Sequence, residues 1–347
     1  MFKIDGKIIG DGNPAFIIAE AGVNHNGDIN VAKKLVDEAV LAGVDAIKFQ
    51  TFKTEKLVTG YAEMAEYQKN NIGKDDSQFN MLKKLELSYE NFIEIQKYCI
   101  HKKIMFLSTP FDFESADFLL SIGMEAFKIS SADLTNIPFL EHIARFNKPI
   151  ILSSGMATLS EIEDAINAIY CIGNKEVAVL HCTSNYPAKL QSVNLNAMNT
   201  IKNAFKIVSG YSDHTQGITI TIAAAAMGAN IIEKHFTLDK CMEGPDHSAS
   251  LSPLELKDMA TAIRNVEMAL GSGIKMYNAS EVDTMKAARK SIVAARDINA
   301  GESISLIDLD YKRPGTGLSP KFYLDIVGKK TNRDIKMNEQ IAFNMVE

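Results

Sequence analysis

The 347 residues are 46% hydrophobic and 23% charged, an ordinary composition for a soluble globular chain and enough for a barrel of about 250 residues plus a second module. With 37 Lys and Arg against 43 Asp and Glu, the net charge of −6 argues against general binding of nucleic acid or of a membrane surface, though not against a locally positive pocket for a small anion. Four cysteines without a CxxC pair, and an opening MFKIDGKIIG without a signal-peptide core, lead to the expectation of reduced thiols in a cytoplasmic protein.

Taken in chain order, eight short apolar runs alternate with helical stretches. FIIAE (16–20) precedes a helix over 29–43, where Val31, Leu35, Val36 and Ala39 share a face and Gly43 ends it. DAIKFQ (45–50) leads into the longest interruption, residues 51–88, polar and mixed in charge in its middle, which reads as a substrate-side flap. A helix over 88–103 starts at Ser88 and ends in basic residues, as the helix dipole favours. IMFLST (104–109), AFKISS (126–131) and PIILSS (149–154) follow, then a helix over 160–173 with Ser160 as N-cap and Glu163 completing a capping box.

VAVLHCTS (177–184), IVSGYSDH (207–214) and IIEKHF (231–236) complete the set. The apolar stretch 218–232 is too short and too interrupted to span a bilayer, and reads as the seventh helix running into the eighth strand. An eighth helix over 252–271 closes the pattern. Parallel strands buried on both faces are continuously apolar, and eight βα units predict an α/β fold, a (β/α)8 TIM barrel over 1–271. Residues 272–285 read as a linker. Residues 286–347, with short strands and repeated turn signals, read as a small β-rich domain.

In such a barrel the chemistry sits where the strands end. His214 and His235 end strands seven and eight, and imidazoles there suit Mn²⁺, Fe²⁺ or Zn²⁺ with open positions, or serve as hydrogen-bonding core residues. Lys48 and Lys128, each inside an apolar run, either form a Schiff base or fix an anion. Hydroxyls at Ser108, Thr109, Ser130, Ser131, Ser153, Ser154 and Ser212 would make with them a phosphate or carboxylate cradle, although any one could be a local cap. Glu20, with Asn24 and His25 in the loop beyond it, is a general base, a contact to a sugar hydroxyl, or the salt-bridge partner of a lysine. GPDHSAS (244–250) presents Asp246 and His247 as substrate contacts or as solvent-exposed residues, and KRPGTG (312–317) is a turn that projects Arg313.

The ordered set AEAGVNHNGD, KFQTFK, FLSTPFD, FKISSAD, ILSSGMATLSEI, LHCTSNYP, GYSDHT, EKHFTLD and GPDHSAS resembles the sialic acid synthases, over nearly the whole chain. That family condenses phosphoenolpyruvate with an N-acetylated amino sugar to make a nonulosonic acid, and residues 286–347 resemble its antifreeze-like domain (SAF, a β-clip). The resemblance implies His214 and His235 as ligands of Mn²⁺ or Mg²⁺, with Lys48, Thr109, Lys128, Ser131, Ser153 and Ser212 on phosphoenolpyruvate. It implies Glu20, Gln50, Tyr186 and Asp246 facing the sugar, with Glu20 also catalytic. It further implies a domain-swapped homodimer in which Arg313 of one chain contacts the sugar in the other. Ala132 and Asp133 stand where a Gly-Glu pair is common, and Ser184 precedes Asn185 where some members place Asn, so contacts at 133 and 184–185 are not carried over. The expected product is N-acetylneuraminate from N-acetylmannosamine; the alternatives are legionaminate from 2,4-diacetamido-2,4,6-trideoxymannose and, less favoured, a Schiff-base aldolase.

Overall fold

A hairpin the periodicity did not reveal comes first in the computed structural model, which describes residues 1–64 and 77–347. Strands β1 (Phe2–Ile4) and β2 (Lys7–Ile9) pair antiparallel around Asp5 and Gly6, both at positive φ as a tight two-residue turn requires. Three-residue strands are too short to register as alternation. Phe2, Ile4 and Ile9 join the main core, and Lys7 pairs with Asp45 just ahead of the second barrel strand, so the hairpin packs at the N-terminal end of the strands.

The eight expected strands are all present: β3 (Phe16–Gly22), β4 (Ala46–Thr51), β5 (Met105–Pro110), β6 (Phe127–Ile129), β7 (Ile150–Ser153), β8 (Val177–Cys182), β9 (Val208–Asp213) and β10 (Ile231–His235). They form one parallel sheet in the order β5-β4-β3-β10-β9-β8-β7-β6, and its two outer strands lie side by side, giving a nearly closed barrel. Strand residues such as Ile17, Ile47, Leu107, Ile129, Ile151, Val179 and Ile232 are wholly buried, each worth about 1.5–3 kcal/mol of transfer free energy. Gly210 is needed for the packing: a Cβ there would stand 2.2 Å from the Ile231 carbonyl oxygen and wedge β9 from β10.

Caps set the helix limits. Helix Ile29–Ala42 ends at Gly43 in the left-handed region, and helix Tyr89–Lys102 starts from Ser88, as expected. The expected cap at Ser160 is corrected. Helix Leu159–Ile172 starts from Thr158, whose hydroxyl accepts the Glu161 N–H while the Glu161 carboxylate accepts the Thr158 N–H; Ser160 lies inside the first turn. Both ends of the 51–88 segment are packed: helices Thr54–Leu57 and Gln78–Leu85 contribute to a small cluster of Val23, Phe52, Met64, Met81 and Leu85. The middle of the expected flap, residues 65–76, lies outside the described residues.

The chain divides into two compact units, Met1–Gly271 and Ser272–Glu347. In the second, β11 (Ser291–Ala294) and β12 (Leu309–Lys312) pair antiparallel, and Ile292, Ile298, Ile304, Ile326, Ile335 and Ile341 form its core. The stretch read as linker is partly ordered into a 3-10 turn (Ala279–Glu281) and the first residues of helix Val282–Ala288. No helix among the described residues is long and apolar enough to cross a membrane.

Candidate active site

Side chains alternate between the two faces of a strand, and parallel partners in register face the same way. On β10 this sends Glu233 and His235 inward and Lys234 outward; beside it, Ser212 and His214 point inward and Asp213 outward. Register then aligns the inward groups across strands: His235 opposite Glu20 and Glu20 opposite Lys48, Gln50 opposite Thr109, and Cys182 opposite Ser212 and Ser212 opposite Glu233.

The cluster is charged and almost dry. Glu20, Lys48, Lys128 and Glu233 are each at most 4% exposed. Lys48 Nζ lies 2.7 Å from Glu20 Oε2 and 3.7 Å from Glu233 Oε2, and donates to Thr109 Oγ1 at 2.9 Å. Lys128 Nζ donates to Ser153 Oγ at 2.6 Å and to the Ile129 carbonyl at 3.0 Å, with Glu233 Oε1 3.9 Å away. Ser212 donates to Glu233 Oε1 at 3.0 Å, and Gln50 to Glu20 Oε1 at 3.2 Å. The salt bridge held open for Glu20 is therefore present, and it is made to Lys48.

Glu233 is not among the strand-end residues that the sequence marks, yet it stands between the two lysines. The available signal was a Glu and a His two apart in a buried strand, a spacing that puts both on one face.

Burial and charge oppose each other here. Burial, aided by the like charge of Glu233, raises the Glu20 carboxyl to about 7 against the pull of Lys48. Burial would raise Glu233 too, but the Lys128 and Lys48 ammoniums outweigh it and hold that carboxyl down at about 2. Burial disfavours the Lys48 ammonium, and the carboxylates of Glu20 and Glu233 more than reverse this, raising its pKa. For Lys128 burial prevails and the pKa falls.

The imidazoles sit beside this cluster. The His214 and His235 ring centres are 5.5 Å apart, with Tyr186 4.1 Å from the first and 5.5 Å from the second. Burial depresses both histidines, His214 to about 4, so they are neutral at pH 7. His214 Nδ1 lies 2.7 Å from the Thr183 carbonyl, which fixes the proton there and leaves Nε2 its lone pair, 3.5 Å from Ser212 Oγ. His235 Nδ1 has no hydrogen-bond partner and lies 4.0 Å from Asp246, whose carboxyl burial pushes up to about 6. Among the described residues no three His, Cys, Asp or Glu side chains form a metal-ligand cluster. Two neutral imidazoles, one with an orphaned nitrogen, suit a divalent cation that keeps open positions for water and substrate.

The remaining expected residues divide. Thr109, Ser153, Ser212 and Gln50 are in the cluster by direct hydrogen bonds. Ser131 stands one step away: its Oγ accepts the Gly155 N–H at 3.0 Å and lies 3.2 Å from Cys182 Sγ. A Cβ on Gly155 would come within 2.2 Å of Ser184 Oγ, so Ser184 closes this corner. Ser130 bonds locally to Asp133, while Ser108 and Ser154 bond to the neighbouring strands, at Thr51 and the Leu180 carbonyl. Asp133 is engaged with Ser130, and Asn185 is exposed. Arg313 belongs to the second unit, exposed directly after β12.

His247, expected to be a substrate contact or exposed, is wholly buried. It bonds Thr237 at 2.7 Å and Asn26 at 3.2 Å, fastening the loop that carries Asp246. Asn24 does similar work, donating to the Phe236 carbonyl and to Ser250. A cavity of about 730 Å³ shares Ser154, Cys182 and Ser184 with the rim of the site; no Lys, Arg, Asp or Glu lines it, so the charged chemistry stays in the barrel.

Comparison with known proteins matches residues 35–275 to the NeuB family and residues 289–347 to the SAF domain. The N,N′-diacetyllegionaminic acid synthase of Campylobacter jejuni is 49% identical over 94% of this chain and 98% of its own, and that of Legionella pneumophila 45% identical over 99% and 98%. Among solved structures, the N-acetylneuraminic acid (sialic acid) synthetase of Leptospira borgpetersenii matches with a TM-score of 0.72 at 37% identity, over 82% of this chain and 94% of that one.

Proposed function

This chain belongs to the NeuB family and carries a SAF domain, and from that premise we propose that the enzyme condenses phosphoenolpyruvate with an N-acetylated amino sugar, releasing phosphate and a nonulosonic acid. The observation that carries the reading is the buried pair Lys48 and Lys128 with Glu233 between them at 3.7 and 3.9 Å. Those long contacts leave neither ammonium neutralised by Glu233; Lys48 is also paired with Glu20 at 2.7 Å, and Thr109 and Ser153, bonded to the two lysines, and Ser212, bonded to Glu233, stand ready to share an incoming anion. Fixed charges in a dry site hold phosphate and carboxylate far better than they would in water.

The C3 carbon of phosphoenolpyruvate forms a bond to the sugar aldehyde carbon, whose oxygen takes up a proton. C2 becomes electron-poor and water adds there; the C2–O bond to phosphate then breaks as the new C2 hydroxyl gives its proton to the departing phosphate and becomes the ketone. Glu20, with a carboxyl near 7, takes the proton from that water. A divalent cation held by His214 and His235, Mn²⁺ or Mg²⁺, would supply Lewis-acid polarisation of the aldehyde. Gln50 orients Glu20, while Tyr186 and Asp246 flank the imidazoles where the sugar would lie. Lys48 is no Schiff-base nucleophile on this reading, because its two carboxylate neighbours keep it protonated.

For the sugar, greater identity to the two diacetyllegionaminic acid synthases supports 2,4-diacetamido-2,4,6-trideoxymannose over N-acetylmannosamine, the sugar expected from the sequence. Phosphate release with each sugar tests this: kcat/KM should be at least roughly tenfold higher for the diacetamido sugar, since a site built for a second amide rejects a hydroxyl there. A preference for N-acetylmannosamine would reverse the order, and no release with either would overturn the synthase reading.

A homodimer whose sites are completed by Arg313 of the partner is part of the same proposal. It predicts that Arg313→Ala and His235→Ala chains, each inactive alone, regain activity when mixed, approaching a quarter of wild type under random exchange. Demonstrated subunit exchange without any recovery would rule out the shared site.

A further inference from the structure

Outside the barrel wall, directly behind the two imidazoles, lies a second buried ion pair. Asp213 and Lys234 are register partners on β9 and β10, their side chains are 0% exposed, and Nζ to Oδ2 is 2.9 Å. Each immediately precedes one of the histidines. Asp213 Oδ1 accepts the Thr215 N–H at 2.9 Å, and its Oδ2 accepts the Thr221 hydroxyl at 2.5 Å. Lys234 donates to the Thr215 carbonyl as well. Residues 213 and 215 are thus both tied to residue 234, and His214 is held between them at a fixed distance from His235.

We propose that the Asp213–Lys234 pair is a positioning clamp that sets the spacing of the His214 and His235 imidazoles for divalent-cation binding. The His214 ring has its own anchor in the Thr183 carbonyl, but His235 Nδ1 has no hydrogen-bond partner, so its placement depends on the backbone beneath it. Groups behind metal ligands commonly change affinity by about 10–100-fold when removed. A fully buried ion pair is otherwise a weak way to stabilise a wall, because desolvating both charges offsets their attraction. Thr215 and Thr221, which satisfy the carboxylate, and helix Thr219–Ala226 complete the housing. The inference rests on the metal reading of the site.

The test uses Asp213→Asn combined with Lys234→Met, which buries no lone charge and leaves Thr215 and Thr221 an amide partner. Mn²⁺ binding is followed by the loss of the free-ion electron paramagnetic resonance signal, with His235→Ala as the blank. The folded double variant should bind Mn²⁺ about 10–100-fold more weakly than wild type, with the phosphoenolpyruvate KM within about twofold. Saturating Mn²⁺ should restore its kcat, a rescue that general damage to the wall would not permit. An unchanged Mn²⁺ affinity, or a kcat loss that Mn²⁺ cannot rescue, overturns the clamp. Absence of Mn²⁺ binding by wild type overturns the metal reading instead, and the clamp with it. Should the double variant not fold, Thr221→Val loosens Asp213 alone and should weaken Mn²⁺ roughly threefold, the worth of one hydrogen bond; no change there would count against the clamp.

Discussion

Replacing His235 with alanine should cut phosphate release by at least about 10³-fold, ~4 kcal/mol of barrier, with no recovery in excess Mn²⁺. The expectation follows from the donor set. Burial keeps both imidazoles neutral, so each offers a nitrogen lone pair to a cation, and removing His235 leaves His214 alone. Weak binding could be overcome by concentration; a missing ligand that also orients the cation over the aldehyde cannot. The measurement is phosphate release against Mn²⁺ concentration, with folding checked by circular dichroism. Near-normal turnover in metal-free buffer would contradict the assignment of His235.

Glu233→Gln should act on stability, ligand response and pH profile together. The substitution keeps the shape and an acceptor for Ser212, but leaves two buried ammoniums facing one carboxyl. Breaking a buried ion pair costs about 3–5 kcal/mol, so the free protein should be less stable, and added phosphate should raise its melting temperature more than that of wild type. Glu20 gives a further readout. As a base it must be ionised, so activity falls as pH drops through about 7. Glu233 is one of the charges that hold the Glu20 carboxyl up; without it that pKa falls, and the acidic limb of kcat/KM should move to lower pH. Titrating kcat/KM and the phosphate-induced thermal shift in both proteins checks the prediction. An unmoved limb with an unchanged phosphate response would mean that Glu233 is not electrically part of the site.

Glu233 also marks the limit of what could be read from the chain. IIEKHF reads as a buried strand with a histidine near its end, and Lys48, Lys128 and the hydroxyls read as an anion cradle. The counter-ion between the lysines is not legible in the chain because β10 is distant in sequence from both β4 and β6; only the closed sheet brings them within 4 Å. His247 departs from its local pattern for a similar reason. A Gly/Pro loop after a strand is usually exposed, and what buries this ring is a pair of partners, Thr237 and Asn26, from two different βα loops. The capping box lies at Thr158, two residues before the expected position, because Ser160 and Glu163 repeat the same spacing and local pattern does not choose between them.

The sequence by itself determined the eight strands, the ends of the helices that follow Asp28, Ser88 and Ser252, the change of character beyond residue 271 and the residue types at each strand end. These follow from local chemistry: continuous apolar runs leave water together, and side-chain oxygens satisfy the first N–H groups of the helix beside them. Tertiary structure alone decided which strand ends face one another. It paired Glu20 with Lys48 and placed Glu233 between two lysines. It set Asp213 against Lys234 behind the histidines, because register across a barrel, not proximity along the chain, fixes the distance between charges.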